Sequence, residues 1–568
     1  MVAVKRSLVA IIFICLIATS SAFGSASNIY ITQNGSPSGS CTSNVQTPAF
    51  FNNSANWGSG SSQIGPGTTV LLCGTFTFGA GATGFAVYGS GTSSAPIVIQ
   101  FDTGAILQAP YFGLQGVPCG PVNSACGGAI NVPNYNYIIV DGGTNGLIQN
   151  TQNGSPGNSC IGGNCSHQQN STGVYISGSN ILVRNLTIQN IYENAGSSSG
   201  ATDTGGQGTA DIRVDTGSSN ITICNNTLNN ARVGIWSDTS GSGAQNTNCS
   251  SNTLVSGVNY FLNTLTDHAW QFSLNGSGAP NVYANDVGTN VNWQFPTNAY
   301  HTDGLITFSD GTSIITPYVY NNYFHGDLGA GSPTGQIFCT YGGSGSGSAC
   351  TLFNNVIVGI GYGSTQDALI YFHAADGNPL GPHVLYNNTL VSGSFAIDMD
   401  GDSTTQYYWQ NNVWSPGASS GWFYHQETAA QPFSTLKNTN NNAYSSNNNG
   451  RWNWDSGIYT SLASWGSGCA SGGAGGCDSA SSYSNPNLSS TYQLQSGSPA
   501  IGLGANLTSL CKGQLAPLCY DKPLQVGAGG SLTSNLRPTS GAWDAGAYQY
   551  STGNPAPAAP TGLSAVVQ

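Results

Sequence analysis

A short pattern that recurs along the chain limits the fold more than any other feature. Each copy has an Asn, then one or two residues, then an apolar residue, and it follows an alternating apolar stretch. The intervals between copies are 41, 26, 33, 37, 33, 33 and 24 residues. The copies begin at Asn185, Asn226, Asn252, Asn285, Asn322, Asn355, Asn388 and Asn412. A fixed local pattern with variable spacing is typical of a solenoid whose loops differ in length.

The strand patterns indicate which solenoid this is. Many copies follow a second short apolar strand, as at 173–176, 211–214 and 234–237. Two or three short strands per repeat, with Gly, Asn and Ser at the turns, predict a parallel β-helix. Inward Ile, Val and Leu would then stack on rungs about 4.8 Å apart, and turn Asn could form hydrogen-bonded ladders. A β-propeller is the alternative, although its blades would be longer and more even.

Composition excludes several classes of function. The 568 residues include only 10 Lys and Arg against 22 Asp and Glu. So few cations cannot neutralise many phosphates, so we expect no binding to nucleic acid or to an anionic membrane. The strong helix formers are also scarce, which disfavours a helical protein, while 39% hydrophobic residues suffice for a core. A β-rich extracellular protein remains.

The N-terminus has the order of a secretory signal. Lys5 and Arg6 precede an apolar run over 8–18 and small residues over 20–22. A membrane anchor is the alternative, but the run is short for a bilayer span. We therefore predict a signal peptide over 1–22, a β-helix domain over 23–550 and a Pro/Ala-rich tail over 551–568. The mature chain would be a secreted monomer without a membrane span, with a net charge of 8 − 22 = −14.

Cysteine spacing agrees with an oxidising compartment. Fourteen cysteines follow the leader, and they fall into near neighbours along the chain. A metal site is the weaker interpretation, because no Cys-x-x-Cys pair occurs. We predict seven loop-stapling disulfides, namely Cys41/Cys73, Cys119/Cys126, Cys160/Cys165, Cys224/Cys249, Cys339/Cys350, Cys469/Cys477 and Cys511/Cys519.

Three C-terminal segments carry a family resemblance. They are Tyr492-Gln-Leu-Gln-Ser-Gly-Ser-Pro-Ala-Ile-Gly, Arg537-Pro-Thr-Ser and Trp543-Asp-Ala-Gly-Ala-Tyr. With the repeats, they make residues 28–550 resemble the secreted right-handed parallel β-helix proteins of the pectate-lyase-like superfamily, where such segments cap the coil. The resemblance implies a right-handed, all-β coil that processes an extracellular polysaccharide in a cleft along one face. It does not decide the reaction, because β-helices host hydrolases, lyases, epimerases and binding proteins.

Strand alternation predicts which side chains point out of the coil. If Ile212, Ile235, Leu305, Ile337 and Ile397 point inward, the neighbouring positions form an outward column. The column comprises Tyr175, Arg213, Trp236, Ile306, Phe338 and Asp398. Aromatic faces suit sugar rings, so we predict substrate binding here and also at Arg232, Trp270 and Trp293. Simple packing of exposed aromatics is an equal alternative for this column.

The densest polar segment lies between residues 265 and 330. It contains His268 and two His-x-Asp pairs about one repeat apart, His301-Thr-Asp303 and His325-Gly-Asp327. Thr302-Asp303-Gly304 is similar to the Asn-Thr-Asp segment of polygalacturonase-type glycoside hydrolases, whose Asp is catalytic. This chain departs from that family, because His301 replaces the Asn and no Asp-Asp, Gly-His-Gly or Arg-Ile-Lys motif occurs.

Glycoside hydrolysis needs one protonated and one ionised carboxyl group. We predict that Asp303 and Asp327 supply them and that His301 and His325 relay protons; the substitutes are Asp238, Asp310 and Asp398. Turn capping and a site for Ca²⁺ or a transition metal are alternatives for this cluster. A Ca²⁺-dependent lyase acting on a uronate polymer, with Arg213 and Arg232 stabilising the enolate, and a non-catalytic glycan-binding adhesin are the alternative functions.

Overall fold

The computed structural model is a parallel β-helix, as predicted. It describes residues 27–113, 117–118, 125–152, 171–192, 209–239, 241–243, 245–290, 302–308, 315–328, 333–340, 348–359, 368–373, 381–400, 404–416, 421–426, 431–447, 449–524, 526–528, 530, 532 and 534–551. Apart from the first and the last, each turn of the coil contributes one strand to each of three sheets, here called A, B and C, in that order. Parallel crossovers of this kind are right-handed almost without exception.

The strands of each sheet pair in parallel from rung to rung. Sheet A contains Asn28–Ile31, Thr69–Leu72, Ile97–Phe101, the first parts of Ile138–Asn150 and Ile181–Gln189, Ile221–Cys224, Asn259–Phe261, Asn281–Tyr283, Tyr318–Tyr320, Thr351–Phe353, His383–Tyr386, Tyr407–Gln410 and Leu436–Asn440. Sheet B contains Thr75–Thr77, Ile106–Ala109, the second parts of Ile138–Asn150 and Ile181–Gln189, the first parts of Thr227–Ser237 and Thr264–Leu274, Asp286–Val287, Tyr323–Phe324, Val356–Val358, Thr389–Val391, Val413–Ser415, Ala443–Tyr444 and Ser482–Tyr483.

Sheet C follows sheet B in each turn and carries the longest strands. It contains Phe85–Ala86, Ile130–Val132, Thr172–Ile176, Ala210–Val214, the second parts of Thr227–Ser237 and Thr264–Leu274, Thr302–Thr307, Pro333–Thr340, Ala368–His373, Phe395–Asp400, Trp422–Gln426 and Arg451–Trp454. The remaining elements are the strands Val45–Gln46, Val117–Pro118, Ala125–Cys126 and Gly457–Tyr459, the α-helices Pro48–Phe51 and Leu462–Ser471, and the 3₁₀ helices Ser54–Asn56, Phe433–Thr435, Thr508–Leu510 and Gly513–Cys519.

A ladder of buried asparagines holds the corner between sheets A and B. Each side-chain amide donates to the Oδ1 of the next Asn at 3.0–3.2 Å. The members are Asn226, Asn263, Asn285, Asn322, Asn355, Asn388, Asn412 and Asn442. Asp478 ends the ladder by accepting from Asn442 at 3.0 Å. The ladder therefore satisfies buried polar groups at successive corners of the coil from Asn226 to Asn442.

The residue before each ladder Asn turns the chain. It has a positive φ in all eight cases, and in most of them it is also an Asn, which tolerates this conformation. Two of the predicted repeat copies need correction. Asn185 lies in this turning column instead of the ladder, and Asn252 lies in a loop where its Oδ1 accepts from Arg184 Nη2 at 2.7 Å. Asn263 takes the rung that the sequence pattern assigned to Asn252.

The core changes character along the coil. Stacked Ile, Val and Leu fill most of the interior, whereas buried aromatic side chains fill the C-terminal end. Trp452 and Trp465 stack there with ring centroids 6.1 Å apart. Trp465 belongs to the helix Leu462–Ser471, whose capping box at Ser461 fixes its start. The irregular stretch after residue 415 thus forms the last rungs and closes the core.

Five of the predicted disulfides are confirmed. They are Cys41–Cys73, Cys224–Cys249, Cys339–Cys350, Cys469–Cys477 and Cys511–Cys519. The pairings of Cys119 with Cys126 and of Cys160 with Cys165 lie outside the residues whose side chains are described. In the described part of the chain, no helix is long and apolar enough to cross a membrane.

The C-terminal segment 500–549, here called the C-terminal strap, corrects an expectation drawn from the resemblance. It lies along the side of the coil instead of capping its end. Side-chain amides of the turning column hold it, since Asn354 donates to Tyr520 O at 2.7 Å and Asn411 to Ala505 O at 2.8 Å. The strap belongs to the same apolar cluster as a stack of rings on sheet A, formed by Phe261, Tyr283, Tyr320 and Phe353 with centroids 4.6–4.9 Å apart.

We expect Asn322→Ala to lower the free energy of unfolding by roughly 2–5 kcal/mol, because it strips partners from several buried groups at once. The backbone N–H and side-chain amide of Asn285 would lose their acceptor, and Val282 O would lose its donor. Chemical denaturation followed by circular dichroism measures the change. The exposed Asn447 provides the control. Equal effects of Asn322→Ala and Asn447→Ala would contradict a stabilising ladder.

Candidate functional site

One outward column runs along sheet C through nine successive rungs. Parallel register places its members side by side: Tyr175, Arg213, Trp236, Ser273, Ile306, Phe338, Tyr371, Asp398 and His425. All six residues of the predicted column lie in this register. Ser273, Tyr371 and His425 occupy rungs that the sequence pattern did not assign.

Exposure divides this column into two parts. Ser273 and Ile306 are fully buried, and Phe338 is only 5% exposed. Partly exposed polar side chains lie on both sides of this covered stretch. The outer face of sheet C therefore carries two separate polar clusters.

The first, here called the Arg213 cluster, consists of Tyr175, Arg213, Asp215, Trp236, Asp238 and Asn275. Arg213 Nη2 lies 2.9 Å from Asp238 Oδ2 and 3.6 Å from Asp215 Oδ1. The guanidinium also stacks over the Trp236 ring, 4.4 Å from its centroid. Tyr175 is mostly buried, which raises the pKa of its hydroxyl to about 12, and it donates to Asp215 Oδ2 at 2.8 Å. The cluster is thus cross-linked by charged hydrogen bonds.

The second, here called the Asp398 cluster, contains two His–Asp pairs on neighbouring rungs. Asp398 and Asp400 are two residues apart on the strand Phe395–Asp400. His425 Nδ1 lies 2.8 Å from Asp398 Oδ1, and His373 Nδ1 lies 2.6 Å from Asp400 Oδ2. Both imidazoles are partly exposed, with 23% and 27% of their side chains accessible. Each carboxyl group is therefore linked to a side chain that meets solvent and can exchange protons.

Aromatic side chains surround the Asp398 cluster. Phe338 and Tyr371 stack with centroids 5.1 Å apart. On the other side, Trp422 lies 5.3 Å from the His425 ring, and Arg451 stacks over Trp422 at 4.1 Å. Partly exposed Tyr371 and Trp422 thus lie one rung before and one rung after the strand that carries the carboxyl groups.

The structure separates the residues that the sequence grouped as catalytic. Asp303 is fully buried at the start of its sheet C strand, where its Oδ1 accepts from Thr334 Oγ1 and from Gly335 N. His325 lies on sheet B, where its Nε2 pairs with Asp286 Oδ1 at 2.6 Å. Asp327 follows in the turn between sheets B and C.

The chain segments that carry Asp303 and Asp327 nevertheless touch. Thr302 Oγ1, next to Asp303, donates to Leu328 O, next to Asp327. His301, Trp293 and Asp310 lie outside the described residues. Of the other predicted binding residues, Arg232 is 5% exposed, and its guanidinium lies 5.9 Å from the centroid of the half-buried Trp270 ring.

A further His–Asp pair is buried inside the coil. His268 Nε2 lies 2.8 Å from Asp211 Oδ2, and His268 Nδ1 lies 2.5 Å from Gln271 Oε1. Burial raises the pKa of Asp211 to about 6 despite its histidine partner. Gly234 lies on the rung between those of Asp211 and His268. A Cβ atom at Gly234 would come within 3.3 Å of His268 Cε1. This pair belongs to the interior and not to the outer face.

Sequence reasoning missed His373, Asp400, His425, Tyr371, Trp422 and Arg451. Their signal was present, because Tyr371-Phe-His373 and Asp398-Met-Asp400 place polar or aromatic side chains at alternate strand positions of consecutive rungs. Among the described residues, Cys339, Cys350 and His383 form a group with metal-ligand spacing. The two cysteines are joined in a disulfide, so their thiolates do not serve as ligands.

The chain matches no protein-family model, and it matches no curated protein at a significant level. It is similar to the solved structure of the pectate lyase Pel9A, with a TM-score of 0.37 and 13% identity over 93% of this chain and 97% of that one. A lacto-N-biosidase of family GH136 from Eubacterium ramulus gives a TM-score of 0.37 and 13% identity over 71% and 67% of the two chains. A family 28 exopolygalacturonase from Yersinia enterocolitica gives 0.29 and 11% over 71% and 78%.

Replacing Asp211 by Asn should change how stability depends on pH. The pKa of Asp211 is raised in the folded state, so this group stabilises the fold when it is protonated, and that contribution is lost as pH rises through about 6. We therefore expect the melting temperature of the native protein, relative to Asp211→Asn, to be higher at pH 4.5 than at pH 7.5. Differential scanning fluorimetry across this pH range measures the two melting temperatures. A difference between them that does not change with pH would contradict the raised pKa of Asp211.

Proposed function

We propose that the protein binds an extracellular polysaccharide on sheet C and hydrolyses its glycosidic bonds at the Asp398 cluster. One observation carries the proposal. Asp398 and Asp400 lie on the outer side of one strand, with side chains 2% and 18% exposed, and each is hydrogen-bonded to a partly exposed histidine. Hydrolysis of a glycosidic bond requires two such carboxyl groups, one as acid and one as base.

Strand geometry suggests the stereochemical outcome. The Cα atoms of residues i and i+2 of a strand lie about 6.6 Å apart at a rise of about 3.3 Å per residue, and side chains that project in parallel from them keep a similar spacing. A separation of roughly 6.5–9.5 Å between carboxyl groups leaves room for the water that inverting enzymes use. We therefore propose that Asp398 and Asp400 act as an inverting pair, with a water molecule attacking the sugar ring from the face opposite the leaving group.

The neighbouring side chains suit the remaining tasks. Tyr371 and Trp422 flank the carboxyl pair and offer aromatic faces to sugar rings on either side of the bond. The partly exposed imidazoles of His373 and His425 can return protons to the carboxyl groups after each turnover. Asp303 and Asp327 are the second candidate pair, supported by the contact between their two segments.

The alternative functions find less support in this geometry. A uronate lyase needs a positive group near the developing enolate. Of the two arginines predicted for that role, Arg213 is paired with Asp238 and Asp215, and Arg232 is buried. A non-catalytic adhesin does not require paired carboxyl groups beside exposed histidines. The disulfides suit an oxidising compartment, so we further propose that residues 1–22 direct secretion and that residues 23–550 act as a monomeric catalytic domain.

We expect Asp398→Asn and Asp400→Asn each to lower kcat by at least about 10²-fold, because each removes an acid or base from the reaction. A reducing-end assay over plant and microbial polysaccharides, with and without Ca²⁺, gives the rate. Absorbance in the ultraviolet reports unsaturated products, and NMR of the fresh product reports the anomer. For the variant that lacks the acid, we expect a smaller loss of activity on a substrate with an activated aryl leaving group than on a polysaccharide.

Two further variants sharpen this test. Asp102→Asn changes a carboxylate at the N-terminal end of the coil, bound to Ser40, and should leave kcat unchanged. Asp303→Asn should lower the melting temperature, because Asp303 Oδ1 holds the neighbouring strand. If Asp303→Asn abolishes turnover while both Asp398 and Asp400 variants retain it, the catalytic site belongs to the 265–330 segment. Unsaturated products would instead establish a lyase.

A further inference from the structure

We propose that the Arg213 cluster is a second, non-catalytic binding site for a neutral glycan chain. The proposal extends the proposed function, because it assigns a class of ligand and a binding role to a part of sheet C that hydrolysis at Asp398 and Asp400 does not use. Its support comes from the position of the cluster, the fixed orientation of one aromatic ring and the balance of charge around it.

The cluster is well separated from the proposed catalytic residues. Trp236 and Asp398 lie five rungs apart in the register of sheet C. The residues between them in the outward column are Ser273, Ile306, Phe338 and Tyr371. At about 4.8 Å per rung, the separation is about 24 Å. Ser273 and Ile306 are fully buried between them, so the Arg213 cluster meets solvent independently of the catalytic residues.

Trp236 is held in place from two directions. The Arg213 guanidinium stacks on its ring at 4.4 Å, and its Nε1 donates to Asp238 Oδ1 at 2.9 Å. The ring is nevertheless partly exposed on the outer face. A rigid, partly exposed aromatic ring can stack on a sugar with little loss of side-chain entropy. Trp236 is therefore a preformed platform.

Polar groups surround this platform. Asn275 Nδ2 donates to Asp238 Oδ1 at 2.8 Å, and the partly exposed Asp215 lies one rung away from Asp238. Carboxylate oxygens accept hydrogen bonds from several donors at once, so Asp215 and Asp238 can also accept from sugar hydroxyl groups at the rim. An aromatic face bordered by a few polar groups is the usual composition of a small-molecule site.

Charge decides the class of glycan. Two carboxylates surround one guanidinium, and Arg213 is already paired with both. A uronate would bring its carboxylate against this net negative charge, and the one cation among the cluster residues, Arg213, is already ion-paired, which makes uronate binding unfavourable. A bound divalent cation is disfavoured in the same place, because Arg213 already supplies positive charge between Asp215 and Asp238. A neutral sugar meets neither obstacle.

The experiment measures binding without cleavage. In the Asp400→Asn background, affinity gel electrophoresis is run with a soluble neutral glucan, a galactomannan and polygalacturonate. We expect at least one neutral polymer to retard the protein, and Trp236→Ala to weaken that binding about tenfold. We expect Tyr520→Ala, which removes a 45% exposed aromatic ring on the C-terminal strap, to leave it unchanged. Titration calorimetry with oligosaccharides should show that the loss caused by Trp236→Ala grows with chain length.

A second variant guards against misfolding of Trp236→Ala. Asn275→Arg adds a bulky side chain on the adjacent rung while Trp236 and Arg213 keep their mutual stacking, and it should also weaken binding. Retardation by polygalacturonate alone would overturn the assignment of a neutral ligand. Binding that is insensitive to both variants, or absent from every polymer, would overturn the site. If a polymer binds but the native protein releases no reducing ends, the proposed hydrolysis is wrong while the binding site stands.

Discussion

The asparagine ladder is the interaction on which the rest of this structure depends. A parallel coil turns a corner between sheets A and B on every rung, and each corner buries backbone and side-chain polar groups that water cannot reach. The ladder amides satisfy one another along the axis and also donate to backbone carbonyls, as Asn322 does to Val282 O at 2.9 Å. Because the corners are fixed in this way, sheet C stays in register and its outward column can bring distant residues side by side.

Much of the fold could be predicted from the sequence because the ladder has a sequence signature. An Asn in the turning position followed by an Asn in the ladder leaves the same two letters in most ladder repeats, as in Asn354-Asn355 and Asn387-Asn388. The same letters also misled the prediction at Asn252, whose Asn-Thr-Leu lies in a loop bound to Arg184. Short polar motifs are ambiguous because a loop satisfies them as well as a buried corner does.

The candidate site was harder to predict because it depends on register between rungs. Asp398, Asp400, His373 and His425 come from three repeats of different length, so their spacing along the chain does not show that they meet. His325 shows the converse error. It follows sheet B, not sheet C, so it pairs with Asp286, although its distance from His301 matches one repeat. Residue type and approximate period were sufficient for the fold but not for the choice of face.

The C-terminal strap changes how this coil can come apart. In a solenoid, each repeat normally contacts only its neighbours, so the ends fray and unfolding can proceed rung by rung. Here the strap crosses many rungs and joins residues far apart in sequence, since Ala528 N donates to Thr264 Oγ1 across 264 residues while Asn441 holds Leu503 O. Peeling a rung from the C-terminal end therefore strains contacts in the middle of the coil. A pulling force or a protease acting at that end would encounter a single cooperative body instead of a stack of separable layers.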